Sequence, residues 1–292
     1  MLRPIASGIA LALALTAIAP AAARADDTAD ELKMGAQLYS ELKSRGEIVE
    51  ASPLYDTLRP IAESITRVVQ PRLPYPVRFY IVHEQQPNAF AAPGGNIYVV
   101  DALFRFVHNK EELEGTLCHE SSHLLYHDPL TEARRDQAIE NREILALLLL
   151  GGGLRTIIAA DIIGQIDSNH YSRDVEERAD LTGSDTCAAA GSNPWGLVWL
   201  FRDFENADLQ QPPEFLSDHP DDEHRIAALM QHFQDNPKTF ARFDDNPKHA
   251  TPLHIPKTVP ETLQHRRMTC YQVWLFSLPR LAFARSVTQE GR

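Results

Sequence analysis

His119-Glu120-Ser121-Ser122-His123 is the stretch from which the rest of the chain can be read. It lies in a segment from about Lys110 to His127 that favours a helix and should end at Asp128-Pro129, since proline cannot continue the hydrogen-bond ladder. Residues four apart share a helical face, so the imidazoles of His119 and His123 point at one spot. Such a pair suits zinc, which in catalytic sites keeps one position open for water. Glu120 falls beside that position, where a carboxylate can take the water's proton. Two histidines on a polar surface helix would spell the same letters, so the pattern needs a third ligand.

Ser172-Arg173-Asp174-Val175-Glu176-Glu177-Arg178-Ala179-Asp180 supplies one. Glu176 and Asp180 share a face of a second helix, so Glu176 can bind the metal while Asp180 accepts a hydrogen bond from a ligating imidazole. Alone, this segment would read as an acidic helix face with i,i+4 ion pairs. A purely structural zinc site is disfavoured, because such sites are usually closed by four Cys or His ligands. His127 continues the 119/123 face but does not match the three-histidine spacing H-E-x-x-H-x-x-G-x-x-H, so it is given a supporting role with Asp180 and Arg173.

Four stretches together resemble the M48 family of zinc metallopeptidases. They are Asn88-Ala89-Phe90 with Pro93-Gly94-Gly95-Asn96-Ile97-Tyr98-Val99, then His119-Glu120 with His123 and His127, then Ser172-Arg173 with Glu176 and Ala179-Asp180, and finally Leu216-Ser217-Asp218-His219-Pro220 with Arg225-Ile226. They span about residues 77 to 230 in the family's order. The resemblance implies an α+β, predominantly helical fold of the gluzincin type, with a small antiparallel sheet over the active-site helix. It implies one zinc ion per chain on His119, His123 and Glu176, with Glu120 as general base. His219 is placed near the cleft, as an oxyanion donor, as a fourth ligand in a resting enzyme, or as no more than a helix-start histidine. Asn96, Ile97, Tyr98 and Val99 are read as an edge strand that pairs with extended substrate. The implied activity is a zinc-dependent endopeptidase acting on unfolded or misassembled cell-envelope proteins. The alternative is a zinc-bearing chaperone or assembly factor that binds such proteins without cleaving them. Cys118 departs from the aliphatic residue expected before the first histidine, and Ser121-Ser122 is more polar than usual.

Around this centre, helices are expected over 28–45, 53–69, 130–142, 170–190, 194–205 and 221–233. Val77–Val82 and Asn96–Val100 read as strands separated by a Pro- and Gly-punctuated turn. The first residues read as a signal peptide, 1–25, with an A-x-A site at Ala23-Arg24-Ala25, which implies export to the periplasm as a soluble protein. A peptidase domain over 26–235 and a C-terminal extension over 236–292 follow. Ile144–Gly164 is apolar but interrupted by Arg155, Asp161 and three glycines. It reads as a helical hairpin that offers contact to a membrane or an outer-membrane assembly. The net charge of -12 excludes a nucleic-acid surface and leaves polypeptide as the partner. Among Cys118, Cys187 and Cys270, the bridge expected is Cys187–Cys270. Cys118 adjoins a ligand, whereas Cys187 lies roughly 16 Å beyond Glu176 along one helix, and bridged Cα atoms need about 7 Å or less.

Overall fold

The computed structural model describes residues 19–135, 171–206 and 223–256, all within the unit Met1–Pro256. Helix α1 (Ala19–Ser44) runs through the expected cleavage site. In α2 (Leu54–Val69), Leu54, Leu58, Ile61, Ile65 and Val69 recur at helical spacing and are all buried. α2 falls where its apolar periodicity puts it, whereas α1 begins nine residues before the expected start at 28 and buries Leu38 and Leu42 but leaves Leu32 and Ala36 exposed.

The sheet differs from the expectation. Strands β1 (Arg78–Val82), β2 (Ala89–Ala92) and β3 (Asn96–Val100) form a mixed sheet in the order β1-β3-β2, with β3 parallel to β1 and antiparallel to β2. The segment read as one turn holds a strand of its own. Two reversals therefore separate β1 from β3 and bring them back parallel. Prolines and small residues around Phe90 hid β2, because its pattern carries only one large apolar residue. The β2–β3 hairpin turns at Pro93-Gly94-Gly95, where Gly95 has φ +87° and a Cβ would stand 2.4 Å from the Pro76 carbonyl. Tyr80, Tyr98 and Phe90 stack across the three strands at 5.5 and 5.0 Å, and Tyr39 of α1 caps the row at 4.8 Å. Leu38 and Leu42 complete this face, while α4 packs on the other side of the sheet.

Helix α3 (Leu103–Phe106) leads into α4 (Lys110–Tyr126), which has no apolar stripe yet is buried at every position from Glu111 to Leu124. Its N-terminus is closed reciprocally. Asn109 accepts from the Glu112 N–H, and the Glu112 carboxylate accepts from the Asn109 side chain and the His108 N–H. Within the helix, Thr116, Ser121 and Ser122 donate to the carbonyls of Glu112, Leu117 and Cys118, so the hydroxyls cost little to bury. His127 ends α4 in the left-handed region, φ 57°, and helical residues 128–135 (α5) restart at the Asp128-Pro129 break. Helices α6 (Arg173–Ala190), α7 (Trp195–Asn206) and α8 (Glu223–Asp235) follow. α6, α7, α2 and the sheet surround α4.

The disulfide also corrects the reading. Cys118 and Cys187 are bridged, with Cα atoms 5.7 Å apart. The axial distance from Glu176 was measured along one helix, but the bridge crosses between two. α6 runs antiparallel to α4, so residues past Glu176 lie opposite residues before His119. Cys270 and the apolar stretch 144–164 lie outside the described residues. Among those described, no helix is long and apolar enough to cross a membrane.

Residues 236–256, expected as an extension, are tied to the same unit through α9 (Pro237–Phe240) and a 3₁₀ turn at Pro247–His249. Thr251 donates twice to the Glu111 carboxylate, at 2.9 and 2.7 Å, and Trp199 Nε1 donates to the Asp245 carbonyl at 3.1 Å.

Gly95→Ala adds a backbone overlap to the usual left-handed penalty of about 1–2 kcal/mol. It should destabilise the chain by roughly 3 kcal/mol or more. Gly46, at φ +72° with nothing within 4 Å of a Cβ, should lose only the penalty. Urea denaturation of the two variants checks the difference.

Candidate active site

Two antiparallel helices deliver the functional side chains. α4 carries His119 and His123 one turn apart, and α6 carries Glu176 and Asp180 at the same interval. They cross at Gly183, where a Cβ would stand 3.0 Å from the His119 backbone, so a larger residue would press on the backbone beside His119. The one-turn spacing on α4 sets His119 Nε2 3.1 Å from His123 Nε2, and the approach of α6 brings Glu176 to the pair. Glu176 Oε2 lies 3.4 Å from the first nitrogen, and Oε1 lies 3.7 Å from the second. All three residues are buried.

The other ring nitrogens fix the orientation. His119 Nδ1 bonds Asp180 Oδ1 at 2.9 Å, and His123 Nδ1 bonds Asp128 Oδ2 at 3.0 Å. With a carboxylate at each Nδ1, that nitrogen carries a proton, which leaves Nε2 directed at the common centre as the atom a metal would take. Two imidazole nitrogens and a carboxylate oxygen, all within 4.8 Å of one another, are the donor set of a three-ligand zinc site, and the group fits that ion.

Charge is balanced around this centre. Arg225 of α8 donates from Nε to Asp180 Oδ2 at 2.7 Å and from Nη2 to Oδ1 at 2.8 Å, and lies 3.1 Å from Glu176 Oε2. Its guanidinium sits over the Phe201 ring at 4.5 Å. Burial works to raise the pKa of Asp180, but Arg225 and then His119 outweigh it and hold the carboxyl below its usual range. Burial likewise opposes a charge on His119, yet Asp180 and Glu176 overcome it and raise its pKa to about 10. His123 is lowered, by burial and by its charged neighbour His119, despite Asp128. The carboxylates thus favour positive charge at this spot, whether a proton or a metal ion supplies it. Arg178 pairs with Asp128 at 2.5 Å and lies over the Tyr126 ring, while Tyr171 stacks on His123 at 4.3 Å.

Glu120 is buried beside the cluster, and its Oε2 accepts from the Ala91 N–H of β2 at 2.8 Å. This contact bears on the strand read as substrate-binding. Asn96, Ile97, Tyr98 and Val99 belong to the central strand, paired on both sides and buried throughout, so they offer no edge. The edge next to Glu120 is β2. The Val100 N–H donates to the Asn88 carbonyl, which places Phe90 and Ala92 on the hydrogen-bonded rungs and turns the backbone of Ala89 and Ala91 outward.

The other expected residues fall as follows. Asp180 contacts His119. Arg173 is exposed at the start of α6 and lines a cavity of about 220 Å³ with Tyr171, Asp174, Glu176, His224 and Arg225. His127 does not support the cluster. Its Nδ1 bonds Glu31 Oε2 of α1 at 2.9 Å, and Glu31 also accepts from the Tyr75 hydroxyl. His219 lies outside the described residues. Sequence reasoning assigned no site role to Asp128, Arg178, Tyr171 or Arg225. Asp128 was spent on the helix break, and Arg225 was quoted in a motif without a task. Only a search for charges to balance the Glu176–Asp180 pair would have singled out Arg225.

Residues 56–232 match the sequence profile of Peptidase family M48. The chain is similar to the beta-barrel assembly-enhancing protease of Yersinia pestis, 29% identical over 168 residues, which cover 52% of this chain and 33% of that protein. The chain therefore spans about a third of the length of that relative. It is also similar to a Protease HtpX homolog of Salinibacter ruber, 28% identical over 227 residues (66% of this chain, 77% of the relative). Metalloprotease YcaL of Escherichia coli is 26% identical over 210 residues (71% and 80%). With the profile covering more than half of the sequence, this chain belongs to peptidase family M48, a family of metalloproteases.

Proposed function

We propose that this chain is a zinc-dependent endopeptidase, with His119, His123 and Glu176 holding one zinc ion and Glu120 acting as general base. The observation that carries the reading is the convergence of three buried ligand atoms within 4.8 Å, with Glu120 next in sequence to the first ligand. Bound there, zinc would supply Lewis acidity to a carbonyl oxygen and to water. Glu120 takes a proton from the attacking water and returns it to the leaving amine nitrogen. The Ala91 N–H holds one Glu120 oxygen and so orients the carboxylate. The outward carbonyls of Ala89 and Ala91 on β2 offer acceptors to an extended substrate, so one strand aims both the base and the peptide. Asp180 and Asp128 hold the two imidazoles in the ligating tautomer.

The substrate class rests on a relative's name and on the leader. A beta-barrel assembly-enhancing protease is among the similar proteins, and residues 1–25 have the order of a signal peptide. The proposed substrates are unfolded or misassembled envelope proteins, met in the periplasm.

Glu120→Gln should keep about one zinc per chain and lose essentially all casein cleavage, measured side by side with wild type. Cleavage at the wild-type rate would remove Glu120 from the mechanism. Retained client binding with no cleavage by wild type would favour the chaperone reading.

Glu176→Ala should lower zinc affinity and Glu177→Ala should not. The exposed Glu177 points about a hundred degrees around the helix from its buried neighbour. Equal zinc loss in the two variants would sink the choice of Glu176.

Arg225→Leu strands the Asp180 and Glu176 carboxylates in a buried site. Breaking such a pair costs about 3–5 kcal/mol. Urea denaturation should register that loss, and bound zinc should reduce it by restoring positive charge.

A further inference from the structure

Cys118 immediately precedes the first ligand, and Cys187 stands on the helix that carries Glu176 and Asp180. Their bridge joins α4 to α6 close to the Gly183 crossing. We propose that this bridge sets the separation of the two ligand helices, so that metal loading depends on the oxidation state of Cys118 and Cys187. The inference rests on the ligand assignment above. It concerns cysteines that touch no ligand atom and that act by positioning.

The argument is one of room. Bonded sulfurs lie about 2.05 Å apart, whereas two non-bonded atoms of this size need about 3.5–4.0 Å. Reduction therefore demands roughly 1.5 Å of extra space between the thiols. The surroundings are closed to solvent and in contact with the bridge. Cys118 is 0% and Cys187 1% exposed, Leu117 and Ala188 beside them are 0% exposed, and Cys187 Sγ already lies 3.4 Å from the Glu114 carbonyl. A close-packed interior meets such a demand by moving backbone. The backbone in question carries His119 one residue away. A functional constellation tolerates about 0.5 Å of displacement, so a shift of this size spoils it.

The chemistry is a two-electron exchange. An external dithiol breaks the S–S bond, two S–H bonds form on Cys118 and Cys187, and the dithiol leaves as its own disulfide. Because the bridge is buried, exchange needs transient opening of the helices, and the state acquired during folding persists.

The test uses the full chain, refolded once with glutathione disulfide and once with dithiothreitol. The small molecules and metal are then removed, and zinc is titrated against a chromophoric chelator. The reduced chain should bind zinc about 10- to 100-fold more weakly, on the scale seen when ligand support is lost. It should keep its helical circular dichroism, and unfolding it and refolding it with glutathione disulfide should restore the affinity. Equal affinity in the two forms, or free thiols at Cys118 and Cys187 in the oxidised chain, overturns the inference and leaves the ligand assignment standing. Absence of zinc binding by the oxidised chain sinks the assignment and the inference with it. Should the reduced chain not fold, Cys118→Ser/Cys187→Ser, which keeps two unbonded γ atoms in the same space, takes its place. Affinity several-fold below that of oxidised wild type and unresponsive to dithiothreitol supports the bridge, whereas wild-type affinity overturns it.

Discussion

The crossing of α4 and α6 is the constraint on which the rest of the molecule depends. At Gly183 the two backbones approach so closely that a Cβ would stand 3.0 Å from the His119 backbone, and this contact brings Glu176 and Asp180 of α6 up to the histidines of α4. Charge then has to be arranged in a region without water. Arg225, Asp180, His119 and Glu176 do this as a closed set, in which each carboxylate serves two positive or potentially positive partners. Burying any one of these groups alone would be prohibitive, and burying them together is feasible because hydrogen bonds and ion pairs link them.

The same logic explains how so polar a helix as α4 can be the centre of the fold. Its hydroxyls bond its own carbonyls, its first turn is closed by Asn109 and Glu112, and its histidines are held by Asp180 and Asp128. The apolar work is done by the neighbours. α2, α7 and the sheet each bring a continuous apolar face to α4 and stabilise it from outside. Stability and chemistry are therefore divided between elements, and His119, Glu120, His123 and Glu176 sit in the buried centre of the scaffold.

The sheet links the cleft to the N-terminal helix. β2 presents its outer backbone beside Glu120, β3 locks β2 in register, and α1 covers the aromatic row on the far face. α1 also reaches the end of α4, where the buried Glu31 joins Tyr75 and His127. His127 is thus used as a tie between helices. Its place on the 119/123 face suggested a part in the metal site, but the left-handed turn at its own position takes it off that face.

The amino-acid sequence by itself determined the elements whose information is local. Helical spacing in α2, the capping and breaking signals around α4, and the pairing of His119 with His123 are each written within one or two turns of chain. The glutamate partner was legible because an i,i+4 pair of carboxylates is itself a local pattern, and the family resemblance ordered the pieces. Tertiary structure decided whatever depends on two segments meeting. Whether β3 was edge or centre turned on a strand too short and too weakly patterned to announce itself. Asp128, Arg178 and Arg225 acquired their roles from charges on other helices. The partner of Cys118 was set by the antiparallel run of α6 along α4, a distance across the interior that no spacing along the chain encodes.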